Sequence, residues 1–135
     1  MKKLLLMLAL SASLLANYTV SDPNYIYQKT DTNTFVTFVY DDGFEFLYTS
    51  PDLYIEENTP VVIFIDNVKS YGFSITSDTV EFFDPSSRLI DLCKKQDKAQ
   101  IVILATDGEV IFDDYITFAG YTKAFDSLVD DLYGF

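Results

Sequence analysis

Residues 99–118 read AQIVILATDGEVIFDDYITF, in which two runs of β-branched and aromatic residues flank Asp107-Gly108. Side chains of these types fit the pleated, half-buried surface of a β-sheet. Asp-Gly is the favoured pair for a two-residue hairpin turn, because both central positions of that turn need a positive φ. The stretch therefore predicts an antiparallel hairpin whose strands are Ala99–Thr106 and Glu109–Phe118.

Runs of the same composition recur earlier in the chain and predict six further strands. They are Tyr25–Lys29, Phe35–Tyr40, Phe44–Thr49, Val61–Asp66, Tyr71–Thr76 and Thr79–Phe83. Asp42-Gly43 lies between two of them and predicts a second two-residue hairpin turn. Short strands at this spacing are typical of antiparallel hairpins and meanders, so the chain is expected to be mainly β.

Two segments have the periodicity of a helix instead. The first is predicted to begin at DPSS (84–87), where Asp84 caps free amides and Pro85 takes the first helical position, and to end near Lys94-Lys95. The second follows Gly120, and its apolar residues are Tyr121, Ala124, Phe125, Leu128 and Leu132. The predicted fold is an antiparallel β-sandwich-like domain with two short helices, one between strands and one at the C-terminus.

The first residues have the order of a secretory signal peptide. Lys2 and Lys3 precede the unbroken apolar run Leu4–Leu10, and small residues follow up to Ala16. The apolar run is too short to remain in a bilayer as a membrane span. We therefore expect cleavage after Ala16, a single β-rich domain at 17–135 with no membrane span, and a periplasmic or secreted location.

Acidic residues outnumber basic ones in this chain. The net charge is −12, and without Lys2 and Lys3 the chain has seven basic and 21 acidic residues, a net charge of −14. A surface of this charge repels nucleic acid and anionic membranes. The expected partners are basic proteins, cationic ligands or metal ions, although the solubility of an exported domain explains the charge equally well.

The residue types missing from the sequence exclude many reaction classes. The chain has no histidine, so it cannot form a Ser-His-Asp or Cys-His catalytic arrangement. It also lacks the commonest zinc ligand. No glycine-rich phosphate-binding motif or paired CxxC occurs either. We therefore predict no catalytic, cofactor-binding or metal-binding residue and no enzymatic activity. Cys93, the one cysteine, is expected to be buried on a helix, with an intermolecular bridge or a nucleophile as alternatives.

Carboxylates leave two other hypotheses open. Glycoside hydrolysis needs only two of them, about 5 to 9 Å apart, and calcium needs only oxygen ligands. The adjacent acidic pairs are Asp41-Asp42, Glu56-Glu57, Asp113-Asp114 and Asp130-Asp131. A small carboxylate-dependent glycan hydrolase and a calcium-stabilised surface protein are therefore the alternatives to a binding domain.

Asp114 raises a separate question within residues 99–118. With a two-residue turn, Val102 faces Asp113, and Asp114 falls in the apolar row of Phe112 and Ile116. Either the strand bulges at Asp113-Asp114 and turns both carboxylates outward, or Asp114 is partly buried and needs a partner such as a lysine or backbone amides. We expect the bulge, because an unpaired buried carboxylate is strongly destabilising.

Ten tyrosines suggest a functional surface of a different kind. Tyrosine is enriched at interfaces because it offers a large contact area with a polar tip, although sheet edges and rims would also accommodate it. The candidate binding surface combines tyrosines with acidic residues and consists of Tyr40, Asp41, Asp42, Tyr48, Tyr54, Glu56, Glu57 and Tyr71. Such a surface would suit a basic protein.

From Thr59 to Leu128 the order of features resembles the invasion-associated locus B family of exported bacterial proteins. The segments that carry the resemblance are TPVVIFID (59–66), GFSITSD (72–78), LCKKQDKAQIVI (92–103) and ITFAGYTKAFDSL (116–128). The resemblance covers about half the chain and implies an exported, non-enzymatic β-domain associated with the cell envelope or with host contact. It does not extend to that family's usual cysteine pair and tryptophan, since this chain has one cysteine and no tryptophan.

These observations favour an exported binding domain that acts through an acidic, tyrosine-rich surface and uses no cofactor. An inhibitor of a cationic enzyme such as lysozyme is one concrete form of it. The glycan hydrolase is the rival hypothesis from a different class.

Overall fold

The computed structural model describes residues 18–21, 25–29, 33–40 and 42–133. The predicted signal peptide at 1–16 and the candidate residue Asp41 lie outside the described residues.

Within the described residues the chain forms nine strands and two helices. The strands are β1 (Thr19–Ser21), β2 (Tyr25–Lys29), β3 (Thr34–Tyr40), β4 (Gly43–Thr49), β5 (Pro60–Ile65), β6 (Val68–Thr76), β7 (Thr79–Asp84), β8 (Lys98–Ala105) and β9 (Val110–Thr117). The helices are α1 (Arg88–Lys95) and α2 (Tyr121–Tyr133). The predicted fold class is confirmed, with one helix between strands and one after the last strand. All eight predicted strands are present, and β1 was not predicted.

The strands form one antiparallel sheet in the order β1-β2-β3-β4-β7-β6-β5-β8-β9. The first four strands form a meander. The chain then crosses to β5 and returns through β6 to β7, which pairs with β4. The last hairpin, β8–β9, adds to the far side of β5. Strands far apart in sequence, such as β4 and β7, therefore become neighbours at the middle of the sheet.

The sheet curls until its two ends meet. The amide of Tyr18 donates to the carbonyl of Ala119 at 3.1 Å, and the Tyr18 hydroxyl donates to the carbonyl of Thr117 at 2.9 Å. Across the same junction the rings of Phe35 and Phe118 lie 6.2 Å apart. The curled sheet therefore packs its own concave face against itself, which gives the sandwich-like arrangement predicted from the sequence.

The core lies inside this curled sheet and is rich in aromatic rings. Phe46 of β4 stacks on Phe35 of β3 and on Phe82 of β7, with ring centres 5.8 and 5.3 Å apart. Helix α2 closes one side, because its Tyr121 is fully buried and packs edge-on against Tyr18 at 4.9 Å. Hydrophobic burial of this kind is the main favourable term in folding.

Cys93 is a free thiol in the core, as predicted. It lies on the buried face of α1, and burial raises the pKa of its thiol well above the usual range. Burial also raises the pKa of Tyr121, whose hydroxyl lies 2.9 Å from that of Thr37. These polar groups stay neutral at neutral pH and satisfy one another inside the core.

The β3–β4 turn differs by one residue from its prediction. Tyr40 pairs with Gly43, so Gly43 already belongs to β4 and is not the second residue of the turn. A Cβ at Gly43 would lie 2.7 Å from Phe83 Cζ and 2.8 Å from the Asp84 carbonyl oxygen. Glycine is therefore needed there for the close approach of β7, in addition to its φ of 152°.

The β8–β9 turn is longer than the predicted two residues. Gly108 has a φ of 94° and its amide donates to the Ala105 carbonyl, while the Ala105 amide donates to the Glu109 carbonyl. Residues 106–108 therefore form a three-residue loop that ends in a left-handed glycine. A bulge at Ile111 then restores the register, so Val102 faces Asp113 as predicted.

Helix α1 begins at Arg88, three residues after the predicted first position Pro85. Asp84 instead ends β7, but its carboxylate still accepts hydrogen bonds from the amides of Ser86 at 3.0 Å and Leu89 at 3.1 Å. The predicted capping by Asp84 is therefore present, and it is exerted from the preceding strand. Lys94 and Lys95 occupy the last turn, as predicted.

Candidate functional site

Asp114 is a structural partner of Tyr48. The carboxylate is half-buried on the core side of β9, where Oδ2 accepts a hydrogen bond from the Tyr48 hydroxyl at 3.2 Å. Oδ1 accepts the amide of Tyr115 at 2.8 Å. The predicted bulge at Asp113-Asp114 is wrong, because the bulge is at Ile111 and the two carboxylates keep opposite faces, with Asp113 exposed. The alternative of a partly buried Asp114 is confirmed, with a tyrosine hydroxyl and an amide as partners.

Side chains also satisfy the edge of β9 that faces away from β8. Asn33 Nδ2 donates to the Tyr115 carbonyl at 3.2 Å, and Tyr18 donates to the Thr117 carbonyl. Asp114 accepts the Tyr115 amide on the same edge. Every second residue of a strand directs its amide and its carbonyl to the same side, so Tyr115 and Thr117 both direct theirs away from β8. The side-chain contacts therefore take the positions that a further strand would occupy. This junction, which we call the β9 seam, closes the curled sheet.

Tyr48 was predicted on the binding surface, and that prediction is wrong. Its side chain is 0% exposed and belongs to the core. Burial, followed by the nearby Asp114 carboxylate, raises the pKa of Tyr48 well above its usual range. The sequence indicates this burial, because Phe44, Phe46 and Tyr48 occupy every second position of β4 and therefore lie on the same face of the strand.

The other predicted surface residues lie at two ends of the sheet. Tyr54, Glu56 and Glu57 are exposed in the loop at 50–59, whose residues bond to the β6–β7 turn through Ile55 N and Ser77 O at 2.9 Å. Tyr54 is 83% exposed. These residues therefore form an acidic loop at the end of β4 where Thr49 lies.

Tyr40 and Asp42 are exposed at the opposite end of β4, beside the β3–β4 turn. The seven residues of β4 separate the two ends, which corresponds to about 20 Å at the rise of a strand. Tyr71 lies on β6, on the outer side of the sheet. The predicted residues are therefore not brought together in one continuous patch.

Strands β3, β4, β7 and β6 instead carry a surface of exposed and half-buried side chains on the side of the sheet away from the core. We call it the outer-face patch, and it consists of Phe38, Tyr40, Glu45, Leu47, Tyr71, Phe73, Glu81 and Phe83. Tyr71 is 67% exposed, and Phe73 and Phe83 are each 42% exposed. Single exposed aromatic residues are ordinary, whereas a contiguous set is a candidate interaction surface.

Two carboxyl groups that the sequence prediction missed lie inside the outer-face patch. Glu45 faces Phe38 on β3 and Phe83 on β7, and Glu81 lies two residues from Phe83 on the same face of β7. Burial raises the pKa of Glu45, and the charge of Glu81 and a hydrogen bond to its carboxyl group raise it further. The two glutamates are thus close enough to repel each other when both are ionised.

Aromatic rings on the outer side of the sheet already hold a cation. Lys69 Nζ lies 5.2 Å from the centre of the Tyr71 ring and 6.0 Å from that of Phe64. Cations within about 6 Å of a ring centre are attracted by the ring's negative face. Among the described residues one ion pair is present, between Lys94 and Asp126 at 3.0 Å, so neither glutamate of the outer-face patch takes part in one.

An open cleft lies between the β3–β4 turn and α2, and we call it the hairpin–helix cleft. Its volume is about 400 Å³. The lining residues are Val39, Tyr40, Asp42, Gly43, Phe44, Pro85, Phe125 and Val129. Val39 and Phe125 are buried and form its floor, whereas Tyr40 and Asp42 are exposed at its rim. The cleft shares Tyr40 with the outer-face patch.

Other features of the described residues assign no chemistry. They contain no group of three or more cysteine, aspartate and glutamate side chains that could hold a metal ion. Neither described helix is both long and apolar enough to cross a lipid bilayer. Comparisons with protein-family models, with curated proteins and with solved structures gave no match for this chain.

Proposed function

We propose that this protein is an exported, non-enzymatic binding domain that binds a basic protein through the outer-face patch. The observation that carries the proposal is the position of Glu45 and Glu81 within exposed aromatic residues, where neither forms an ion pair with a described residue. The periplasmic or secreted location rests on the sequence of residues 1–16 and on the family resemblance.

The two glutamates supply the electrostatic part of the proposed contact. The raised pKa of Glu45 means that its ionised form is disfavoured by partial burial and by Glu81. A lysine or arginine of a partner would relieve this repulsion and compensate for the lost hydration. The net charge of −12 would in addition attract a basic protein from a distance and increase its association rate.

The aromatic residues supply the apolar part. Phe38 and Phe83 flank Glu45 on the neighbouring strands, so a guanidinium group that pairs with the carboxylate would also lie against a ring. Arginine combines such pairing and stacking better than lysine does, because its guanidinium is planar and weakly hydrated. Exposed tyrosine and phenylalanine side chains are typical anchors of protein interfaces.

The positions of the carboxylates favour binding over glycan hydrolysis. A glycosidase holds two carboxyl groups about 5 to 9 Å apart across a cleft that admits the sugar. Glu45 and Glu81 instead lie diagonally on the paired strands β4 and β7, on the outer side of the sheet, and do not face each other across a cleft. The described lining of the hairpin–helix cleft contains a single carboxylate, that of Asp42.

The proposal is tested by calorimetric titration of the protein with lysozyme and with an arginine-rich peptide, using an acidic protein as the negative control. We expect both basic probes to bind, and we expect the double substitution E45Q/E81Q to weaken binding about tenfold. Lysozyme activity measured in the same mixtures shows whether binding also inhibits that enzyme.

A matched variant separates a local contact from general charge. E109Q/D113N removes the same number of charges from exposed positions on the β8–β9 hairpin. This variant should retain affinity within about twofold if the outer-face patch is the site. Equal weakening by the two double variants, or no binding of either basic probe by the natural chain, would contradict the proposal.

A further inference from the structure

The hairpin–helix cleft has the size and lining of a small-molecule site. Its volume of about 400 Å³ lies within the range of about 300–1,000 Å³ that is common for ligand pockets. Three segments that are distant in sequence build it, namely the β3–β4 hairpin, the connection before α1 and the helix α2. Its floor is apolar, since Val39 and Phe125 are 5% and 6% exposed.

The charge of the cleft is negative. Asp42 is the only ionisable carboxylate among the described lining residues, and no lysine or arginine is part of that lining. Glu45 and Glu81 lie near enough to Tyr40 at the rim to add to the burial that raises the pKa of its hydroxyl. An anionic ligand would therefore be repelled, and a cationic one would be attracted.

The lining of the cleft also contains aromatic residues. Tyr40, Phe44 and Phe125 contribute to its lining, and the rings of Phe44 and Phe125 lie 5.9 Å apart. Phe125 already holds a cation of the chain, because Lys94 Nζ lies 4.6 Å from its ring centre. The charge of Lys94 is paired with Asp126, so it adds little repulsion toward a second cation.

We propose that the hairpin–helix cleft binds a compact amphipathic organic cation, that is, an amine or quaternary ammonium group joined to an apolar group. The apolar group would contact Val39 and Val129, and the cationic group would lie between the Asp42 carboxylate and the aromatic rings. Aromatic residues recognise quaternary ammonium groups through the negative faces of their rings, and a nearby carboxylate adds Coulomb attraction. This site is separate from the protein contact proposed above, although Tyr40 belongs to both.

The probe for this site is benzyltrimethylammonium, observed through the methyl signals of Val39 and Val129 in nuclear magnetic resonance spectra. We expect saturable shifts at both residues. Benzyl alcohol, which keeps the ring without the charge, should bind about tenfold more weakly, and phenylacetate should not bind. Equal affinity for benzyltrimethylammonium and benzyl alcohol would overturn the proposal, as would the absence of saturable shifts.

Substitutions test whether benzyltrimethylammonium binds in the hairpin–helix cleft. D42N should weaken binding of benzyltrimethylammonium about threefold to fivefold, because it removes an exposed ion pair. D52N removes the same charge from an exposed position in the loop at 50–59 and should leave binding unchanged. V129F should fill the cleft and abolish binding. Equal affinities of D42N and D52N would overturn the proposal, and E45Q/E81Q, which tests the protein contact, should still bind the probe.

Discussion

The hydrogen bond between Tyr48 and Asp114 should couple β4 to β9 energetically across the β9 seam. Its two groups are 66 residues apart in the sequence, and the Tyr48 side chain is fully buried. The perturbation is a double-mutant cycle with Y48F, D114A and the combined variant. Each single change removes the bond, but the two leave different groups without a partner.

The expected costs follow from those unpaired groups. D114A leaves a buried hydroxyl and the Tyr115 amide without their acceptor, which should cost about 2 kcal/mol of unfolding free energy. Y48F leaves a carboxylate that is still partly hydrated and still bound to the Tyr115 amide, so it should cost only about 1 kcal/mol. The combined variant has no tyrosine hydroxyl left without an acceptor. Its loss of unfolding free energy should therefore be about 1 kcal/mol smaller than the sum of the two single losses.

Urea unfolding followed by tyrosine fluorescence and circular dichroism measures these differences, since the chain has no tryptophan. The control is D113A, because Asp113 is exposed on the opposite face of the same strand and its removal should change stability by less than about 0.5 kcal/mol. Additivity of Y48F and D114A within about 0.5 kcal/mol would refute the proposed coupling.

Three further predictions concern the fold and the outer-face patch. Burial raises the pKa of the three core tyrosines Tyr18, Tyr48 and Tyr121. Above pH 10.0, their usual value, the unfolded chain releases these protons first. Stability should therefore fall by about 4 kcal/mol per pH unit, and circular dichroism should show cooperative alkaline unfolding together with tyrosinate absorbance; retained structure during a tyrosine titration centred near 10 would contradict this. G43A should cost about 2–3 kcal/mol through its contacts with β7, whereas G108A, which has open space around it, should cost about 1 kcal/mol; equal values in urea unfolding would contradict the packing argument. E45Q should stabilise the chain by about 0.2–1 kcal/mol at neutral pH by removing repulsion from Glu81, and urea titrations should show this gain disappearing below pH 4.5, where Glu45 is protonated in both states.

Local sequence was sufficient for the strands and for the fold class. Each predicted strand is a short run in which β-branched and aromatic residues concentrate, and that preference is set by the pleated surface itself. β1 was missed because its three residues are too few to show alternation. The β3–β4 turn was displaced by one residue, because close packing against β7 places Gly43 inside the strand. The β8–β9 turn was one residue too short, because Asp-Gly fits a two-residue turn as well as a three-residue loop that ends in glycine.

Interactions between distant segments were not predictable from local patterns. Glu45 and Glu81 become neighbours only because β4 pairs with β7 across the intervening hairpin, and nothing in either strand specifies that pairing. The hairpin–helix cleft likewise depends on how α2 packs against the first hairpin. Tyr48 is a different case. It lies two residues after Phe46 in the same strand, so the sequence alone places the two side chains on the same, buried face.

The β9 seam has a consequence for how copies of this chain behave together. An uncovered strand edge is a template on which another molecule can add a strand, which is a common first step of aggregation. Along β9 that template is blocked, because the carbonyls of Tyr115 and Thr117 and the amide of Tyr115 already have side-chain partners. Tyr18, Asn33 and Asp114 thus disfavour polymerisation through the last strand, so the acidic residue that interrupts the apolar row of β9 helps to protect a sheet edge.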